Sequence, residues 1–210
     1  MKDPNKEFEI VIKDSDLTDL ATNLGEIAID SAMDDGILKD IPIIGSVINV
    51  IKFGNSLNRH FTIKKISKFL FQLQDIPPEK RLSKIEEINN SGEYQSSVGE
   101  MVMEILDRVE SDGKPEMIGK LFAAFIKEDI TFQEYLKFSH YIKSVYYYEL
   151  LSLKHHNEEH NFFYGNNDGQ LQGFGLTTNV IDEWGGGTAG PDATGSITQL
   201  GKDLVKYAMT

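Results

Sequence analysis

The sequence predicts a mainly α-helical protein, a helical bundle around a central apolar helix, with a small α+β, winged-helix-like part at its C-terminus. Three observations predict it. Apolar residues recur at helical spacing through most of the first 160 positions. Residues 41–51 carry no charge. Ten of the 18 glycines fall in residues 161–210, where helical spacing gives way to alternation.

Taken in order, residues 1–14 read as an extended arm. Ser15 or Asp16 is placed to cap a helix with Leu17, Leu20, Leu24, Ile27 and Ala28 on one face, which Asp34-Asp35-Gly36 ends. Pro42 suits the first turn of a second helix, and from there to Phe53 the run is apolar on almost every side, so it must be buried all round or sit in lipid. Residues 59–74 predict an amphipathic helix with Ile63, Ile66, Phe69, Leu70 and Leu73 inward and Lys64, Lys65 and Lys68 outward. Pro77-Pro78 starts a short helix that the loop Asn89-Asn90-Ser91-Gly92 closes. A helix near 95–110 carries Val98, Val102, Ile105, Leu106 and Val109, and Pro115 opens the next, with Met117, Ile118, Leu121, Phe122, Phe125 and Ile126 at helical spacing. Thr131-Phe132-Gln133-Glu134 is a capping box, predicted to start one long helix to about Lys154. Beyond it, Leu171 to Asp182 and Ala193 to Thr198 predict strands around the glycine-rich run at 184–191, and Leu200, Leu204, Val205 and Met209 mark a final helix. The domain organisation expected is an arm at 1–14, a helical domain at 15–160 and a winged-helix-like subdomain at 161–210.

Composition narrows the function classes. The absence of cysteine excludes disulfides, thiolate metal sites and cysteine nucleophiles, and fits a reducing compartment. The N-terminus does not read as a signal peptide, and no run reaches 18 apolar residues, so a cytoplasmic protein is expected, with membrane association on activation as the alternative. The net charge of −12 is unevenly spread: −7 over residues 1–40, +6 over 52–84, −8 over 85–160 and −3 over 161–210. The overall field repels nucleic acid and anionic lipid, and only the segment behind the apolar run attracts them.

Three groups of residues are candidates for function. His156, Glu159 and His160 form H-x-x-E-H, which on a helix puts both imidazoles on one face for zinc and offers the carboxylate as general base; a solvated helix end explains the same residues. Zinc is accordingly the only cofactor that the sequence suggests. Ile41, Ile43, Ile44, Val47, Ile48, Ile51 and Phe53 would contact membrane or partner if exposed, or form a core helix if covered. Lys52, Arg59, Lys64, Lys65 and Lys68 would contact anions, or form a solvated face. No Walker A loop, dinucleotide fingerprint or nucleophile elbow occurs. Tyr141 and Tyr146-Tyr147-Tyr148 read as packing or interface residues.

Ile41-Pro42-Ile43-Ile44-Gly45 with its apolar and then basic continuation, the stretches Met117–Phe122 and Tyr135–His140, and the tail Ile197–Val205 together resemble uncharacterised bacterial helical proteins with a winged-helix-like C-terminus, some similar to abortive-infection proteins that act against phage. The resemblance implies a defence context and supplies no catalytic motif. The function expected is that of a non-enzymatic interaction or effector protein, acting through a protein partner or homo-oligomer or by exposing residues 37–54 to membrane. A winged-helix nucleic-acid-binding regulator and a zinc-dependent hydrolase are the alternatives.

Overall fold

A computed structural model describes residues 4–14, 17, 56–110, 113–155, 163–164, 169–179 and 194–210. The protein is mainly helical and divides into two compact units, Met1–Ser139 and His140–Thr210. The division falls inside a helix and not at 160, where composition changes, because the chain regroups its contacts before its glycine content rises.

The first unit contains α1 (Pro4–Asp14), α2 (Ser56–Phe71), α3 (Pro78–Ser91), α4 (Val98–Arg108), α5 (Lys114–Ile126) and most of α6 (Phe132–Ser144). Within the arm expected at 1–14, residues 4–14 are thus helix and not the extended chain that their polarity predicts. Phe8, Val11 and Ile12 are buried, and α1 packs against α3 and α4. Its polar residues are used as well. The Glu9 carboxylate accepts from the Gly99 N–H in the first turn of α4 (3.1 Å) and from the Asn89 side chain at the end of α3 (2.9 Å). A carboxylate at a helix N-terminus meets donors that have no partner within the helix, and its charge complements the helix dipole. Asn89 completes the junction by accepting from the Val98 N–H (2.9 Å). A residue chosen to cap another helix looks like solvent-facing charge in a linear sequence.

Among the described residues, α2 packs most extensively against α5. Ile63, Ile66, Phe69, Leu70 and Leu73 are all buried, as their spacing predicts, and every residue of α5 from Leu121 to Ile126 is buried too. Gly119 sets the approach: a Cβ there would lie 2.7 Å from the Phe69 carbonyl oxygen and 2.8 Å from Gln72 Cγ. From this crossing an aromatic series runs through the unit, with ring centroids 6.2 Å apart for Phe8–Phe69, 5.4 Å for Phe69–Phe122, 5.2 Å for Phe122–Tyr135 and 5.5 Å for Phe132–Tyr135. Arg81 of α3 is 1% exposed; its guanidinium donates to the carbonyls of Ile12 in α1 and Ile76 in the turn after α2.

The second unit holds the end of α6, α7 (Tyr147–His155), β1 (Phe163–Tyr164), α8 (Gly169–Gly173), β2 (Thr177–Asn179), β3 (Thr194–Ile197) and α9 (Gln199–Ala208). The single helix expected from Phe132 to Lys154 is broken at Val145-Tyr146. Val145 is buried there, and the Tyr146 N–H bonds to the Gln170 side chain (3.1 Å), a tertiary acceptor that lets a new helix begin. The strands pair antiparallel in the order β1-β3-β2, with Thr177 opposite Ile197 and Phe163 opposite Gly195. Part of the span Leu171–Asp182 is therefore helix, and among its described residues the strand is β2. Thr198 caps α9 by accepting from the Gly201 N–H (3.1 Å) while its hydroxyl donates to Gly175 O (2.7 Å), which ties helix to sheet.

Replacing Gly119 with alanine tests the helix crossing. Because the added carbon meets backbone and not a movable side-chain tip, the substitution costs roughly 1–3 kcal/mol, read as a lower urea midpoint with an unchanged m-value.

Candidate functional site

Several residues singled out by sequence lie outside the described residues: Ile41, Ile43, Ile44, Val47, Ile48, Ile51 and Phe53 of the apolar run, Lys52 behind it, and His156, Glu159 and His160. No helix among the described residues is long and apolar enough to cross a membrane, and no group of three or more His, Asp or Glu there is arranged to hold a metal ion.

Of the basic residues, Arg59 lies in α2 with its side chain outside the description, and Lys64, Lys65 and Lys68 follow on the same helix, half-buried and not fully outward. The Lys65 ammonium donates to the Asp107 carbonyl (3.1 Å). Burial pushes its pKa below the usual lysine value, and the negative charges of Asp107 and Glu110 oppose that shift. The structure thus turns this lysine toward the α4 C-terminus, where a cation meets unpaired carbonyls.

The site that the structure does build was not legible in the sequence. A groove of about 510 Å³ opens in the first unit between α3, the 93–94 linker, the turn after α5 and the start of α6. Phe125, Ile130 and Phe132 are buried along its floor, with Ile88 and Tyr94 half-buried beside them. Tyr94 stands edge-on to Phe132, centroids 5.1 Å apart at 88°. Glu87, Glu93, Glu128, Asp129 and Glu134 line it with carboxylates and Lys84 with an ammonium, five negative groups against one positive, net −4.

Each element arrives by a local rule. The turn after α5 is a Schellman motif: Asp129 N–H bonds to Ala124 O and Glu128 N–H to Phe125 O, both at 3.0 Å. Its left-handed position, ordinarily glycine, is Glu128, with φ +70°. Three residues on, the capping box forms in full. Glu134 Oε2 accepts from the Thr131 N–H (2.7 Å) and hydroxyl (2.8 Å), while Thr131 Oγ1 accepts from the Glu134 N–H (3.2 Å).

The charges fall into two kinds. Lys84 bridges Glu128 (2.7 Å) and Glu87 (2.8 Å). Hydrogen bonds to Glu128 first and Glu87 second raise the Lys84 pKa, and the same bond from Lys84 holds Glu128 below the usual carboxylate range. Both carboxylates are well exposed, so water screens the pairs and they act as positioning contacts more than as sources of stability. Glu134 is likewise held low, chiefly by the Thr131 backbone N–H and then by its hydroxyl. Glu93 and Asp129 make no side-chain hydrogen bond or ion pair among the described residues. Burial raises the Tyr94 phenol pKa, helped by the Glu93 charge and opposed by a hydrogen bond with Gln133. Such a surface suits a ligand that is cationic outside and apolar within: the carboxylates meet its charges and the half-buried Tyr94 ring its alkyl stem.

The chain matches no family model, no curated protein and no solved structure.

Two substitutions probe how the groove is built. Thr131→Ala removes the cap and lowers stability by about 1 kcal/mol at neutral pH. Glu134 titrates below the ordinary 4.5 in the fold, so its contribution is present above that pH and is lost as pH falls through the folded value. Denaturant titrations at neutral and acidic pH are therefore expected to show wild type losing more stability on acidification than Thr131→Ala, which keeps fewer bonds to that carboxylate. Glu128→Gly relieves the left-handed backbone and raises Tm by roughly 2–4 °C despite the lost ion pair, whereas Glu128→Ala gives no such rise in calorimetry.

Proposed function

We propose that the chain is a non-enzymatic interaction protein that acts through a protein partner, in a bacterial defence system against phage. The observation that carries the reading is the groove of the first unit. Apolar side chains floor an open cleft whose rim bears two carboxylates, Glu93 and Asp129, without ion-pair partners among the described residues. A surface combining aromatic floor and unpaired charge is what a partner of opposite charge recognises. The defence context rests on the resemblance of residues 41–45, 117–122, 135–140 and 197–205 to uncharacterised bacterial helical proteins, some of them similar to abortive-infection proteins.

The second unit supports a winged-helix-like reading: its sheet order is β1-β3-β2, and β3 leads directly into α9. We read that module as a protein-contacting one. Residues 161–210 carry −3, and the sequence linking β2 to β3 has no Lys or Arg with which to meet phosphate.

Expression in a phage-sensitive bacterial host tests the proposal. The wild-type chain, with its genomic neighbours, is expected to lower phage plating efficiency. The groove variant carrying Glu93→Lys and Asp129→Lys, folded as judged by its circular dichroism and Tm, is expected to restore plating. Unchanged plating with the wild type, or full protection by the groove variant, would remove the basis for the reading.

A further inference from the structure

We infer that the groove between α3 and α6 takes a lysine- or arginine-bearing segment of a partner protein; this rests on the interaction-protein reading above and names the chemistry of its partner. Two properties of the groove select that chemistry. Its lining has a net charge of −4, from five carboxylates against one ammonium, so a basic ligand gains and an acidic one is repelled. Beside its buried floor the groove presents Ile88 and Tyr94, both only half-buried, so the ligand must also carry apolar length.

Lysine and arginine have this composition within one side chain, an alkyl stem ending in a cation. Lys84 shows the arrangement within the protein itself. Its stem is covered while its ammonium reaches Glu87 and Glu128 at the rim (2.8 and 2.7 Å). Glu93 and Asp129 offer the same type of acceptor with no cation yet supplied by the described residues.

Spacing distinguishes a peptide from a small cation. Glu87 comes from α3, Glu93 from the linker behind it, Glu128 and Asp129 from the turn after α5, and Glu134 from α6. One compact ammonium meets only one or two carboxylates spread over four segments. A chain carrying several basic side chains, with apolar residues between them, can meet more of them at once and cover the floor as well.

Fluorescence anisotropy with a fluorescein-labelled peptide of alternating arginine and leucine tests this on the full chain. The peptide is expected to bind wild type, and a peptide of alternating glutamate and leucine is not. Glu93→Gln with Asp129→Asn weakens binding about tenfold, because two screened charge pairs are lost. The charge-matched control Asp75→Asn with Glu79→Gln, exposed and outside the groove, leaves affinity unchanged. Absence of binding overturns the proposal. So does equal weakening by both double variants, which would mean diffuse attraction to a chain of net charge −12. Displacement of the peptide by spermidine at equal affinity would assign the groove to a small cation and overturn the peptide. If the lysine-substituted groove variant abolishes phage protection while no basic peptide binds, the partner reading survives and the basic occupant falls.

Discussion

The guanidinium of Arg81 is the contact on which the first unit turns. It is buried, so its donors must be met inside the protein, and two of the acceptors are the carbonyls of Ile12 and Ile76. One carbonyl closes α1 and the other lies in the turn out of α2, so a side chain on α3 fixes three elements at once. A buried charged group left short of acceptors is costly, and the position of α1 is accordingly narrow. With α1 held, Glu9 lies at the α4 N-terminus and Asn89 joins it to α3. One turn beyond Arg81, Lys84 emerges on the groove side of α3 and reaches Glu87 and Glu128. The candidate site is therefore positioned by the contact that orders the helices behind it.

At the rim of the groove, stability and the proposed recognition pull in different directions. The left-handed residue of a Schellman turn is least strained as glycine, and here it is Glu128. Its carboxylate reaches Lys84, a contact too exposed to offset much strain. The arrangement is understandable if the carboxylate is useful where it stands, on the lip of an aromatic-floored cleft. Behind the lip, Thr131 and Glu134 cap α6 rigidly, and Phe125 and Phe132 (centroids 5.0 Å apart) join the floor to the aromatic series of the core. A groove built on such packing is preorganised, which would lower the ordering cost of the binding proposed for it.

The groove could not be read along the chain for a definite reason. Lys84 and Glu128 are 44 positions apart, and neither has a distinguishing neighbour in the sequence. The one local signal was the capping box at 131–134, which marks a helix start and says nothing of the cleft beside it. Glu9 was hidden in the same way, since its acceptor role depends on a helix 90 positions later. The lysines of α2 were legible as a basic run, yet Lys65 is turned into the fold by Asp107.

The sequence by itself determined that the protein is mainly helical, which faces of α2, α4 and α5 are buried, that Thr131 starts α6, and that a strand returns into a final helix. Those properties follow from periodicity and capping, whose interactions span four residues or fewer. Tertiary structure decided that residues 4–14 form a helix, that the helix after Thr131 breaks at Val145-Tyr146, and that five carboxylates gather around one aromatic floor. Each of these depends on a partner far away in the chain: Arg81 and Gly99 for α1, Gln170 for the break, and four separate segments for the groove. The −12 charge was plain from composition, but only folding could place part of it around the apolar side chains of the groove.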